Sequence, residues 1–259
     1  MKYNLILSAA ALCVSTVAYG QTAVITAAND PALNPTNAEV FTPVPNVVTP
    51  AKTFGNAPSD AIVLFNGKNL DEWVSTKDQS PAKWKIAGDA LTVDKSTGDI
   101  RTKRDFGSFQ LHIEWKVPAD ITGEGQSRGN SGIFLSSRYE IQVLDTYNND
   151  NKTYVNGMAG SIYREAIPLV NPAKKAGEWN AYDIAYTAPQ FNEDGTLKTA
   201  ARVTIFFNGV MVQNNEAIEG ATATDTKHVY AKHGPAPIVL QSHGDKSAPI
   251  SFRNIWIRE

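Results

Sequence analysis

Cysteine is almost missing from this chain. Its 259 residues hold one, Cys13. A disulfide framework, a Cys-ligated metal cluster and thiolate catalysis are therefore excluded from everything beyond the first residues. An excess of positive charge is missing too. Lys plus Arg is 24 against 26 Asp plus Glu, a formal net charge of -2. A nucleic-acid binder usually shows a basic excess or stripe, so that class is set aside. No stretch shows sustained helical periodicity with caps, and no repeat recurs at a fixed period. Glycine-rich phosphate loops, nucleophile-elbow serines and His-Glu-x-x-His pairs are also absent.

What remains is a globular composition, 42% hydrophobic and 19% charged, with aromatic residues enough to fill a core. Lys2 precedes an almost wholly apolar run, Leu5 to Val17, followed by small residues around Tyr19. This pattern predicts a secretory signal peptide over residues 1–20, cleaved before Gln21, and a periplasmic or extracellular destination. The run is too short to span a bilayer comfortably, and no other segment qualifies as a span. Residues 21–58 carry prolines at 31, 35, 43, 45, 50 and 58 and few charges. They read as a Pro-rich tether. The folded domain is expected over residues 59–259.

From Asp60 the pattern is strand and turn. Ala61 to Phe65 is a short apolar run stopped by Asn66-Gly67. Phe109 to Val117 alternates, with Phe109, Leu111, Ile113, Trp115 and Val117 on one side and Gln110, His112, Glu114 and Lys116 on the other. Further strands are predicted around residues 84–93, 132–135, 139–144, 182–186, 202–207, 238–242 and 251–257. Residues 187–201 and 214–234 read as loops or insertions. The sum is an all-β sandwich or barrel. All five tryptophans are assigned to the core, Trp115 and Trp256 on the apolar sides of their strands.

The polar sides hold the candidate chemistry. Glu140 and Gln142 share one side of an otherwise apolar strand. Gln241 and His243 do likewise at a strand end before Gly244. If these strands neighbour the one bearing His112, Glu114 and Lys116, the result is a patch of carboxylate, amide and imidazole. Such a patch can bind a sugar, hold a cation or move a proton. Asp145 suits a turn cap or a cation ligand equally.

The order of short motifs resembles the 3-keto-disaccharide hydrolase domain family over about residues 60–259. The residues that carry the resemblance run from Leu64-Phe65-Asn66-Gly67-Lys68-Asn69-Leu70 through Asn130-Ser131-Gly132-Ile133-Phe134. Tyr139-Glu140-Ile141-Gln142-Val143-Leu144-Asp145 and Gly160-Ser161-Ile162-Tyr163 follow. Gly177-Glu178-Trp179-Asn180, Leu240-Gln241-Ser242-His243-Gly244 and Phe252-Arg253-Asn254-Ile255-Trp256 complete the set. The resemblance implies a concanavalin A-like jelly-roll β-sandwich of two antiparallel sheets. It implies an exported enzyme acting on sugars oxidised at C3, often with a divalent cation. A sugar 3-dehydrogenase would then have to supply the substrate. Residues Asp245 to Pro249 and the loop at 214–234 stand out as insertions against the family pattern.

With that resemblance, His243 is expected as base or metal ligand, Glu140 as acid, base or metal ligand, and Glu114 as the next catalytic carboxylate. Gln142 and Gln241 would orient substrate hydroxyls. Lys116, Arg128 and Asn130 would steady the ketone or the sugar. The expected metal ligands are Glu140, His243 and Asp145. Two other readings stay open: a non-catalytic lectin-like module of the same fold, and a conventional glycoside hydrolase. Against the last, Glu140-Ile141-Gln142 carries an amide where a second carboxylate would stand.

Overall fold

The computed structural model describes residues 39–222 and 227–259. The predicted signal peptide lies outside the described residues. Residues 39–47 carry no regular element and are exposed throughout. The compact unit begins at Val48, so residues 48–58, expected as the end of the tether, belong with the domain.

The first six strands in chain order are β1 (Ile62–Phe65), β2 (Trp73–Ser75), β3 (Lys85–Ala87), β4 (Ala90–Thr92), β5 (Ile100–Thr102) and β6 (Phe109–Lys116). Then come β7 (Ser131–Leu135), β8 (Tyr139–Val143), β9 (Asn180–Thr187), β10 (Gln190–Phe191) and β11 (Leu197–Thr199). The last four are β12 (Arg202–Phe207), β13 (Val210–Ala217), β14 (Val239–Leu240) and β15 (Ser251–Arg258). The larger sheet runs β13-β12-β9-β6-β15-β4-β3, with β1 also paired to β15. The smaller runs β2-β5-β14-β7-β8, and β10-β11 is a separate ribbon. Both main sheets are antiparallel, which is the expected all-β sandwich.

Alternation places the core. On β6, Phe109, Leu111, Ile113 and Trp115 are buried in the apolar layer. They meet Ile133, Leu135, Tyr139, Ile141 and Val143 of β7 and β8 in the same cluster. The β12–β13 turn uses Asn208 at φ 52° and Gly209 at φ 79°. Both left-handed values suit a tight hairpin, and both residue types tolerate them. β13 then continues to Ala217, paired with Arg202. The expected loop at 214–234 therefore begins as strand, and β10 and β11 fall within the expected loop at 187–201. In both places local polarity masked strands that pairing partners stabilise.

A bulge on β15 corrects the tryptophan assignment. Arg253 is opposite Glu114, yet Trp256 is opposite His112, so β15 carries one extra residue there. Asn254 absorbs it at φ 45°. Phe252, Ile255 and Ile257 then reach the inter-sheet core, while Trp256, still buried, turns to the outer face and stacks on His112 at 5.4 Å and 12°. Trp179 is not core either. It is half-buried between Lys116 (Nζ 4.7 Å from the ring centre) and Arg253 (4.2 Å).

His112 anchors a charged network on this outer face. Its Nδ1 is 2.7 Å from Asp183, and its Nε2 is 3.6 Å from Glu114. Arg253 and Asn254 donate to the two Glu114 oxygens at 2.6 and 2.8 Å. Asn254 and Trp256 both donate to the Gly55 carbonyl, which ties the 48–58 segment down. Burial opposes the His112 charge, but Asp183 and Glu114 outweigh it and push the imidazole up to about 9. Burial likewise opposes ionisation of Glu114, but bonds from His112, Asn254 and Arg253 hold it down at about 2. The His112 contribution to stability is complete below its ordinary value of 6.5 and is lost as pH rises through about 9. That of Glu114 is complete above 4.5 and is lost as pH falls toward about 2. His112→Gln should lower stability near pH 6 by about 1–2 kcal/mol, since it takes the cation from the half-buried carboxylates of Asp183 and Glu114. It should also flatten the alkaline decline in melting temperature between pH 7 and about 9. Thermal unfolding across pH checks both, and an unchanged alkaline limb in the variant would sink the assignment.

Candidate active site

The outer face of the smaller sheet is built in cross-strand rows. One row runs Val74, Arg101, Val239, Phe134, Glu140 across β2, β5, β14, β7 and β8. Segment 160–163 extends it, because Tyr163 N–H donates to the Glu140 carbonyl. In the neighbouring row Gly132 is opposite Gln142, Gln241 N–H donates to the Gly132 carbonyl, and Gln142 N–H donates to that of Ser161. Asp99, just before β5, joins this side by accepting Ser242 N–H at 2.7 Å.

Glu140 leans from its own row over Gly132. A Cβ on Gly132 would lie 2.2 Å from Glu140 Oε1 and 2.9 Å from its Cγ. A glycine is therefore required for the carboxyl to take this position. The Glu140 residue is 7% exposed. Among the described residues no group hydrogen-bonds its carboxyl. Burial, and then the charge of Asp99, push it up to about 8. At neutral pH it is a protonated acid. Asp99 is itself raised, chiefly by burial, although Ser242, Lys77 and His243 oppose the shift.

His243 contributes an imidazole from the loop after β14. Its Nδ1 is 2.7 Å from Asp245 Oδ2. The other Asp245 oxygen accepts from Ser247 N–H at 2.6 Å and from the Ser247 hydroxyl, with Lys95 Nζ 3.3 Å away. Burial opposes ionisation of Asp245, but the bonds from Ser247 and His243 hold its carboxyl below the usual range. A fixed carboxylate on Nδ1 leaves Nε2 as the free nitrogen, the arrangement of an oriented base. Beside Glu140, the Tyr163 hydroxyl is 2.5 Å from that of Tyr154, and burial with this bond pushes its phenol up to about 12. The Gln241 Oε1, Ser242 Oγ and Ser161 Oγ atoms are buried without a partner among the described residues. Unpaired buried polar atoms cost stability and point to a ligand that satisfies them.

The structure thus gathers Glu140, Gln241 and His243 on one face, as expected, but not the other candidates. Glu114 and Lys116 belong to the larger sheet, on the opposite outer face, where Arg253 and Trp179 engage them. The expected single patch is therefore divided by the core. Gln142 faces the right way but is 1% exposed, its amide donating to Gln126 at 2.8 Å. Asn130 donates to the Gln126 carbonyl at 2.8 Å and is 6% exposed. Both hold the Gln126 turn. Arg128 Nε donates to Asp145 at 2.7 Å, and this pair lines a separate polar cavity of about 650 Å³ with Tyr147 and Lys152.

The expected metal ligands do not assemble. Asp145 is committed to Arg128, Glu140 favours its proton, and His243 Nδ1 is taken by Asp245. No group of three or more His, Cys, Asp or Glu among the described residues is arranged to hold a metal ion. Asp99, Asp245, Tyr163 and Gly132 carry the site without having been singled out for chemistry. Asp245 had a signal, since it follows His243 by two, but it was read as the start of an insertion. Asp99 had none, because only the sheet order brings it to this face.

Residues 60–258 match the model of the 3-keto-alpha-glucoside-1,2-lyase-like domain. The chain belongs to that family. A 3-keto-disaccharide hydrolase of Bacteroides thetaiotaomicron is 31% identical over 164 residues, 49% of this chain and 53% of the relative. The chain spans about half the length of that curated relative. A Parabacteroides distasonis protein classed as a glycosyl hydrolase superposes with a TM-score of 0.83 at 56% identity, over 86% of this chain and 95% of that one. A second such structure from the same organism, at 18% identity and TM-score 0.54 over 76% and 93%, shares the fold. No described helix is long and apolar enough to cross a membrane.

Gly132→Ala should displace the Glu140 carboxyl from its seat over Gly132 and lower activity far more than stability. The check is kcat/KM beside the melting temperature: equal, small losses in both would mean that Gly132 has no role in seating Glu140. Glu140→Gln, by contrast, should raise stability at pH 8 by about 1–3 kcal/mol. A raised carboxyl stabilises the fold below pH 4.5 and loses that contribution as pH climbs to about 8, and an amide has no charge to bury.

Proposed function

We propose that the protein cleaves 3-keto-glycosides by β-elimination on the outer face of the smaller sheet. A carbonyl at C3 acidifies the hydrogen on C2. His243 Nε2 takes that proton, with Asp245 orienting the ring and stabilising the imidazolium. The C2 electron pair becomes the enediolate and then the C1–C2 double bond as the C1–oxygen bond breaks. The leaving oxygen takes the proton of Glu140. Tyr163, which keeps its phenolic proton, and the Gln241 amide are the donors on this face that would meet the developing negative charge. Water addition to the unsaturated ketose then gives net hydrolysis.

The observation that carries the reading is a neutral, unbonded carboxyl at Glu140 on the face that also holds an oriented imidazole at His243. Two groups with opposite proton demands on one face are what elimination requires. The family match supports the substrate class. The same reading implies export to the periplasm or beyond and a sugar 3-dehydrogenase acting upstream. Asp99 favours one competitor. Two carboxylates on one face also serve a conventional glycosidase.

One assay separates them. The protein is incubated with a 3-keto-glucoside and with its unoxidised parent. Release of the leaving group from the keto form only is expected, and equal release from the parent would hand the site to the glycosidase reading. Glu140→Gln should lower kcat/KM by about 10²–10⁴. The wild-type kcat/KM should fall above about pH 8 as Glu140 loses its proton. A profile that instead rises through pH 8 would remove Glu140 as the acid.

A further inference from the structure

We propose that the substrate carries a negative charge one ring away from the scissile bond, read by Arg101 and Arg164. The inference rests on the reading of Glu140 as the acid, and it deepens that reading. Elsewhere each guanidinium group donates to an oxygen of the chain. Arg104 pairs with Glu72, Arg128 with Asp145, Arg253 with Glu114 and Asp89, and Arg258 with Asp60, while Arg138 and Arg202 bond the Ser136 and Asn215 carbonyls. The two arginines that flank Glu140 have no carboxylate partner among the described residues. Arg101 is in the Glu140 row, half-buried, its stem between Val74 and Val239, and among the described residues it has neither an ion pair nor a hydrogen bond. Arg164 lies over the rings of Tyr154 and Tyr163 at 5.3 and 5.5 Å, on the segment that pairs with Glu140, again without a carboxylate.

Arg101 is a half-buried cation with no counter-ion, which is costly, and a guanidinium fork matches a carboxylate or sulfate with two parallel bonds. Phe134, half-buried between Val239 and Glu140, supplies an apolar surface on which a sugar ring can lie. Glu140 is three strand spacings, about 14 Å, from Arg101 and one spacing, about 5 Å, from Tyr163 on its other side, so a charged group on the sugar next to the scissile bond is carried toward one cation or the other. Lys77, whose charge acts on Asp99, adds to the positive rim. The shared ligand chemistry is an anionic saccharide, its charge on a uronate or on a sulfate ester.

The test measures binding apart from turnover. Calorimetry on the full chain uses an unoxidised glucosyl-glucose disaccharide, its glucuronosyl counterpart and its sulfate ester. The anionic ligands should bind about tenfold tighter than the neutral one. That preference should vanish in roughly 0.5 M salt, if charge is the cause. Replacing both, Arg101→Gln with Arg164→Gln, should abolish it while leaving neutral binding unchanged; the single variants show which side the charge takes, and the Lys variant at that side should keep part of it. Preference for the uronate alone, or for both anions, supports the proposal and names the source of charge. Equal or weaker binding of both anions overturns it, even if the neutral 3-keto-glycoside is cleaved. A clear anion preference without any keto-glycoside turnover would uphold the cation pair and remove the elimination reading instead.

Discussion

The apolar layer between the two sheets is the constraint on which the rest depends. Every strand that contributes to it must send alternate residues outward. Each sheet therefore has one polar face, and the two faces stand back to back. A hydrogen bond crosses the layer beside the site: the fully buried Tyr182 hydroxyl on β9 donates to the Gln142 carbonyl on β8. It registers the larger sheet against the strand that bears Glu140. On that strand, Tyr139, Ile141 and Val143 enter the core, so Glu140 and Gln142 have no choice but the opposite side.

The two outer faces solve opposite electrostatic problems. On the larger sheet, His112, Asp183, Glu114, Arg253 and Asp89 neutralise one another, and Trp256 covers the imidazole. Each group sits in the charged form that its neighbours favour, which is a structural use of charge. On the smaller sheet Glu140 is buried without a bonded partner and faces a second carboxylate. Gln241, Ser242 and Ser161 keep unpaired oxygens there. The folded state gives up stability at this face, as sites of chemistry commonly do.

Much of the fold was legible in the residues. Alternation on β6 and the Asn-Gly turns have local causes, and local sequence reports them. The strand content of β13 was less legible, because Gln213 to Glu216 are polar and their pairing with β12 is what makes them a strand. Trp256 was misassigned for a related reason. A single bulged residue at Asn254 shifts the phase of everything after it, and nothing in the alternation of Phe252 to Ile257 announces the shift. The site was half legible. Glu140 and His243 stood out as polar groups at otherwise apolar or strand-terminal positions. Glu114 looked equivalent by the same rule.

By itself, then, the chain's order of residues determined that alternating strands would form a sandwich and which side of most strands is polar. Those are properties of period and local turn chemistry. Which polar sides share a face was decided only by the tertiary structure, because strand order depends on partners far apart in sequence. That order set Glu114 against Arg253 on one sheet and brought Asp99, Gly132 and His243 to Glu140 on the other. It also decided protonation: the same carboxyl type is held near 2 at Glu114 and pushed to about 8 at Glu140. Burial and neighbouring charge, not residue identity, make that difference.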